Sequence, residues 1–222
     1  MEYFVYITKE CNLNCTYCSG HSIQHRAIKS DRLSNMEYFV DSIINDMNYH
    51  GDSKNRVIFY GGEPLLNQQD IINFIKKGKL IRDDIEFGLY TNGTLLHTID
   101  NFLIDNIDIL YVSIDGIETV HNKYRGTDTF ELVLNNFLQI KPNLRAESIA
   151  SMTITPESSV YRAVRNVVDI FDHVFWNIVN DPFGPSFNGF ISNYDNDVRR
   201  LYNYWLNEMG NGRVLNIVPF QF

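Results

Sequence analysis

The sequence predicts an α/β protein, with a curved parallel sheet and its helices outside it. Three observations lead there. Short runs rich in β-branched and aromatic residues alternate with runs of helical periodicity, six times over and with no meander between them. Several strand-like runs stop at turn residues, Gly61-Gly62, Asn92-Gly93 and Asp115-Gly116. The chain has 222 residues, 44% hydrophobic and 21% charged, which suits a soluble globular domain with a sizeable core.

The elements follow in order. Tyr3–Thr8 (YFVYIT) is a strand of aromatic and β-branched residues. Apolar residues at Met36, Phe39, Val40, Ile43, Ile44 and Met47 predict a helix over Ser34–Tyr49, capped by Ser34 or Asn35. Arg56–Tyr60 is the second strand, stopped by Gly61-Gly62, and Asn67–Lys77 the helix after it. Ile85–Thr91 is the third strand, with a helix over Thr94–Asn106, and Ile109–Ile114 is the fourth. A helix near Thr129–Ile140 precedes a strand near Glu147–Ile154. Pro156 is expected to open a helix running to about Phe171, since proline suits a first helical turn. His173–Val179 is the sixth strand. The Gly, Pro, Asn and Ser content of Asp181–Asn193 predicts a loop, followed by a helix over Asn196–Met209 and a last short strand over Val214–Val218. Six units are too few to close an eightfold barrel, so the expected form is a partial (β/α)6 TIM-like barrel. One domain over 1–222 is expected, with the six β/α units in about 1–180 and a loop, helix and short strand in 181–222. No internal repeat or low-complexity segment interrupts it.

Charge and composition exclude several classes. The formal net charge is −8, and no basic run or basic-aromatic stripe is present to follow a nucleic acid. No apolar run reaches the roughly 18 residues of a membrane span. The start, MEYFVYITKE, lacks a basic region, and its short alternating apolar run meets Lys9 and Glu10, so it is not a signal peptide. All three cysteines lie between positions 11 and 18, an odd number in one stretch, which suggests a reducing compartment and a cytoplasmic protein.

Those cysteines, Cys11-Asn-Leu-Asn-Cys15-Thr-Tyr-Cys18, carry the strongest chemical signal. Three soft thiolates on one short loop suit three irons of a four-iron cluster and leave the fourth iron open for a ligand. A Cys3His zinc site completed by His21 or His25 is the alternative. The other motifs stand at strand ends: Gly61-Gly62-Glu63-Pro64, Thr91-Asn92-Gly93, Ser113-Ile114-Asp115-Gly116, then His121 and Arg125 in HNKYRG. In parallel α/β folds ligands gather at the carboxyl ends of the strands, where the cysteine loop also lies. Paired glycines admit a ligand close to the backbone; Glu63 accepts from an ammonium, and Arg125 offers a fork for a carboxylate. An ammonium with a carboxylate describes an amino acid, here a methionine moiety beside an open iron. Each motif alone also has a plain reading, as a strand-to-helix turn, an Asn-Gly or Asp-Gly turn, or a surface ion pair.

Taken in order, CNLNCTYC, GGEP, TNG, SIDG and HNKYRG resemble the radical S-adenosylmethionine (radical SAM) superfamily, over nearly the whole chain. The SIDG-x4-H-x3-R run is similar to its peptide- and protein-modifying branch, which includes anaerobic sulfatase maturases, and the opening strand with CNLNCTYC is similar to archaeal-type peptide-modifying members. The resemblance implies that Cys11, Cys15 and Cys18 ligate a 4Fe-4S cluster whose unique iron chelates SAM. It implies that Tyr17 lies along the adenine, and that Gly61, Gly62 and Glu63 receive the amine, with Pro64 shaping the turn. Ser113 is expected at the ribose or methionine portion, Arg125 at the carboxylate, and Thr91 and Asn92 in the same pocket. Tyr60 stands where related maturases often carry Gln. The implied activity is reductive cleavage of SAM to methionine and a 5′-deoxyadenosyl radical for hydrogen abstraction from a peptide or protein, with a one-electron reductant such as flavodoxin or ferredoxin. A small-molecule substrate, or a non-catalytic cluster- and SAM-binding module, are the other readings. The branch usually carries a SPASM or twitch extension with auxiliary clusters. No cysteine follows Cys18, so no cysteine-ligated auxiliary cluster is expected; either the chain is a truncated or minimal form or a partner supplies the missing part, and no substrate acid or base is assigned.

Overall fold

A computed structural model describes residues 1–18, 36–51, 54–180 and 187–221. Six strands form one sheet: β1 (Glu2–Thr8), β2 (Asn55–Gly61), β3 (Ile85–Thr91), β4 (Ile109–Ser113), β5 (Glu147–Ile154) and β6 (His173–Ile178). Their spatial order equals their chain order, and every neighbouring pair is parallel. Each return therefore crosses the sheet through a helical segment or a longer connection, and the twisted sheet curves into the expected partial barrel. The helices are α1 (Met36–His50), α2 (Gln68–Ile81), α3 (Asn101–Asn106), α4 (Glu118–Arg125), α5 (Thr129–Ile140), α6 (Val160–Val167) and α7 (Phe187–Gly210). Among the described residues no helix is long and apolar enough to cross a membrane.

The period-two pattern of the strands divides the sheet into a packed face and a lining face. Val5, Ile7, Val57, Phe59, Phe87, Leu89, Leu110, Val112, Ala150, Met152, Val174 and Trp176 are buried in the core shared with the helices. The alternate positions carry Phe4, Tyr60, Tyr90 and Tyr111. Tyr90 and Tyr111 stack at 4.1 Å between ring centres, while Phe4 and Tyr60 remain 59% and 44% exposed at an open mouth. The aromatic content thus serves both purposes, with Phe59, Phe74, Phe87 and Phe137 in the core and a separate set on the lining face.

Four expected elements change, and one further helix forms. Helix 94–106 is two pieces, a 3-10 turn at Leu96–Thr98 and α3, because Asp100 is extended and caps the new helix through its carboxylate on the Phe102 amide at 2.7 Å. The helix expected from Pro156 begins only at Val160. Thr155 and Ser158 close a turn, and Ser159 caps α6. The expected loop 181–193 is helical from Phe187, since Phe190 is buried and the Tyr194 hydroxyl accepts from Trp176 Nε1 at 2.9 Å; packing overrides composition there. The last strand reduces to one bridge, Val174 with Ile217, before a 3-10 turn at Val218–Phe220 whose Pro219 has no N–H to extend a ladder. Finally, α4 forms where the sequence offered only the HNKYRG motif. The proposed Ser34 or Asn35 cap, His21, His25 and Phe222 lie outside the described residues.

Candidate active site

The strand ends and the cysteine loop surround one cavity of about 500 Å³. Eleven of the twelve candidate site residues line it: Cys11, Cys15, Cys18, Tyr17, Gly61, Gly62, Pro64, Thr91, Asn92, Ser113 and Arg125. Tyr60 and Tyr90 form part of the wall, and Ser151, Thr153, Asn177 and Asn180 supply neutral polar groups opposite.

The cysteine loop leaves β1 and is fastened at several points. The Cys18 amide donates to the Cys15 carbonyl at 3.0 Å, and the Thr16 amide donates to the Tyr124 carbonyl of α4 at 2.9 Å. All three thiols are unpaired. Cys11 Sγ accepts from the Leu13 amide at 3.4 Å and from Asn92 Nδ2 at 3.8 Å. The same Asn92 amide donates to Asn12 Oδ1 at 2.8 Å, and Asn12 donates onward to Thr94 Oγ1. The Asn92-Gly93 turn is therefore a clamp on the cysteine loop. Burial pushes the Cys11 thiol up, opposed by those two donors, and pushes Cys15 up to about 11, opposed by the Arg125 charge. Such thiols bind a cation only by releasing a proton. Among the described residues, no three His, Cys, Asp or Glu side chains converge as a single-ion site requires.

The glycine pair acts through close approach. Gly61 has φ 149°, and a Cβ there would stand 2.3 Å from the Thr8 carbonyl; one on Gly62 would stand 2.1 Å from the Glu10 carbonyl. The Gly62 and Glu63 amides donate to Thr8 and Glu10, both at 2.8 Å. The two glycines thus let the end of β2 run against the root of the cysteine loop.

Glu63 is the candidate outside the cavity wall. It is fully buried, and its carboxylate accepts from the Leu65 amide at 3.0 Å, the Thr91 hydroxyl at 2.9 Å and the Asn92 amide at 2.7 Å. Where the sequence led us to expect an ammonium acceptor, the structure has a brace joining the GGEP turn to β3. Burial pushes this carboxyl up, and the three donors work against that.

Sequence reasoning missed the hub of the site. Asp115, read as part of an Asp-Gly turn, is 1% exposed. It accepts from Arg125 Nε at 2.9 Å and Nη2 at 3.0 Å, from the Tyr17 hydroxyl at 2.6 Å and from the Thr153 amide at 3.0 Å. Burial alone would raise its pKa, but the Arg125 guanidinium and these bonds hold it below the usual carboxylate range. Its backbone amide donates to His121 Nδ1 at 3.1 Å. His121 and Arg125 stand four apart on α4, one turn of one face. That spacing, after an aspartate at a strand end, was the signal available in the sequence. Tyr17 stacks on Tyr124 at 5.4 Å and 30°, with the Arg125 guanidinium 5.4 Å from its ring centre.

His121 is fully buried, and its Nε2 has no hydrogen-bond partner among the described residues. Since Nδ1 accepts, the proton sits on Nε2. Burial, with the Arg125 charge, lowers its pKa from 6.5 to about 4. The unfolded chain takes up this proton near pH 6.5 and the folded chain only near 4. Protonation of His121 therefore costs no stability above pH 6.5 and about 1.4 kcal/mol per pH unit below it, until pH 4. Urea unfolding between pH 6.5 and 4.5 is expected to show a shallower acid limb in His121→Gln; parallel limbs would remove His121 as the cause.

The sequence and the fold both match known proteins. The sequence profile of the Radical SAM superfamily matches residues 5–159. The cysteine-type anaerobic sulfatase-maturating enzyme of Clostridium novyi (strain NT) is 24% identical over 96% of this chain and 61% of its own length. That of Clostridium perfringens (strain ATCC 13124) is 28% identical over 95% of this chain and 61% of its own. The solved structure of native anSMEcpe with bound AdoMet and Cp18Cys peptide superposes with a TM-score of 0.77, at 24% identity, covering 99% of this chain and 63% of that one. The chain thus spans about three fifths of the length of these relatives. It belongs to the radical SAM superfamily.

Proposed function

We propose that this radical SAM chain holds a 4Fe-4S cluster on Cys11, Cys15 and Cys18, binds SAM beside it, and acts on a peptide or protein. The observation that carries the reading is the meeting of three unpaired thiols with a buried guanidinium and the strand-end motifs in one cavity. The donor set fits the cluster: soft sulfur from one loop, with N–H groups directed at Cys11 Sγ. When bound, cluster and SAM together supply a one-electron reductive cleavage and a carbon radical for hydrogen abstraction, with flavodoxin or ferredoxin as the class of electron donor.

The chain's own residues hold and orient. Asp115 takes Nε and Nη2 of Arg125; among the described residues nothing takes Nη1, which is available to a carboxylate on a side chain that lines the cavity. Tyr17, Pro64, Thr91, Asn92 and Ser113 shape the pocket, with Gly61 and Gly62 presenting backbone to the amine. Tyr60 and Tyr90 provide apolar wall that limits water. The peptide reading is supported by the relatives named above, two of them sulfatase-maturating enzymes and one solved with a peptide. It is also supported by the mouth, where Phe4, Tyr60 and Ile178 are exposed beside Asn177. Apolar surface with neutral hydrogen-bonding groups suits an uncharged stretch of chain.

The test is anaerobic reconstitution with iron and sulfide, then SAM and dithionite. 5′-Deoxyadenosine is the expected product. A protein that loads a cluster and binds SAM without releasing it would be a binding module, and one that takes up zinc in place of iron would end the reading.

A further inference from the structure

The buried cluster around Asp115 joins four separate parts of the molecule. Its carboxylate receives Arg125 from α4, the Tyr17 hydroxyl from the cysteine loop and the Thr153 amide from β5, at the end of its own strand β4. His121 pins the Asp115 amide from one turn earlier on α4. The cysteine loop touches the same helix twice more, through the Thr16 amide on Tyr124 and the ring of Tyr17 on that of Tyr124. Cys15 and Cys18 flank these contacts directly.

We propose that Asp115 is a positioning residue: it aims the Arg125 fork at the SAM carboxylate and, through Tyr17, holds the cysteine loop in register with that fork. This rests on the functional reading above. It explains the D-x5-H-x3-R spacing as one device, in which histidine places the aspartate backbone and the aspartate places the arginine. It also ties the SAM site to the cluster site through one carboxylate.

Electrostatics alone makes the opposite prediction, which gives the proposal a sign. Asp115 cancels the Arg125 charge, so removing its negative charge would leave a bare guanidinium and strengthen the attraction for an anionic carboxylate. If Asp115 instead orients the fork, removing it weakens SAM binding although the local charge has become more favourable. An oriented pair of charge-assisted bonds is worth more to recognition than an untethered charge.

The experiment titrates SAM into the reconstituted, reduced full chain and follows the change in the cluster's electron paramagnetic resonance signal, with iron content measured alongside. Parent protein is expected to show a saturable change. In Asp115→Asn the iron content holds, and about tenfold more SAM is needed to reach half of the change. Equal or tighter binding in this variant overturns the proposal. Should Asp115→Asn fail to fold, Tyr17→Phe decides, since it keeps the ring and removes only the hydroxyl that reaches Asp115. Weaker SAM binding at unchanged iron content supports the link, and parental binding overturns it. A parent protein that holds iron yet gives no response to SAM would instead count against the functional reading itself.

Discussion

Cys15→Ala is expected to abolish cluster assembly, leaving well under one iron per chain and none of the visible absorbance of the reconstituted parent. Cys15 is the middle ligand of the proposed three, the one whose thiol is pushed up to about 11, and the one that faces the charge of Arg125. At neutral pH its thiol is protonated until a metal displaces that proton, so its thiolate exists only as part of the bound cluster. The two remaining cysteines are seven positions apart, and the turn between them would lose its interior anchor. The fold should survive, because the loop is tied to the barrel through Thr16, Tyr17 and Asn12 rather than through the Cys15 sulfur. Iron analysis with circular dichroism separates the two effects. Full iron content in the variant would refute the ligand assignment.

Glu63→Ala is expected to carry a large cost in stability, on the order of 3 kcal/mol in urea unfolding without SAM. The carboxylate satisfies two buried backbone amides and the Thr91 hydroxyl, with no water-facing alternative for any of them. Leaving two N–H groups without an acceptor outweighs the relief of no longer burying a carboxyl. A residue that served only to receive the SAM ammonium would behave differently, with weaker SAM binding and an unchanged unfolding midpoint. The measurement therefore distinguishes the brace seen in the structure from the contact that the GGEP motif suggests.

Legibility in the sequence varied from residue to residue for physical reasons. The strands read clearly because their burial alternates or runs continuously, and Ile85–Thr91 and Glu147–Ile154 match to the residue. The cysteine loop, the glycine pair, Ser113 and Arg125 were legible as candidates because each is a chemically unusual residue at a strand end or on the helix that follows one. Helix ends read poorly. Pro156 is a permitted helix starter, but the Thr155–Ser158 turn and the Ser159 cap moved the start by four residues. The Asn and Gly content of the region before Tyr194 argued for a loop, and only the burial of Phe190 and the hydrogen bond from Trp176 made it helix.

The site shows the same division. By itself the sequence determined the kind of chemistry available: three thiols in one loop, a fork for a carboxylate, and glycines where a backbone must come close. Those are properties of residue type and local spacing, which do not depend on the rest of the chain. Only the tertiary structure decided how the groups are employed. Glu63 is turned inward because the 3-10 turn after β2 and the end of β3 each leave an amide there that needs an acceptor. Asp115 is a hub because β5, α4 and the cysteine loop bring four donors and one histidine nitrogen to a single residue at the end of β4. A buried carboxylate is defined by the partners that compensate it; Arg125 stands within the local spacing, but Thr153 and Tyr17 come from 38 and 98 positions away, beyond the reach of any local pattern.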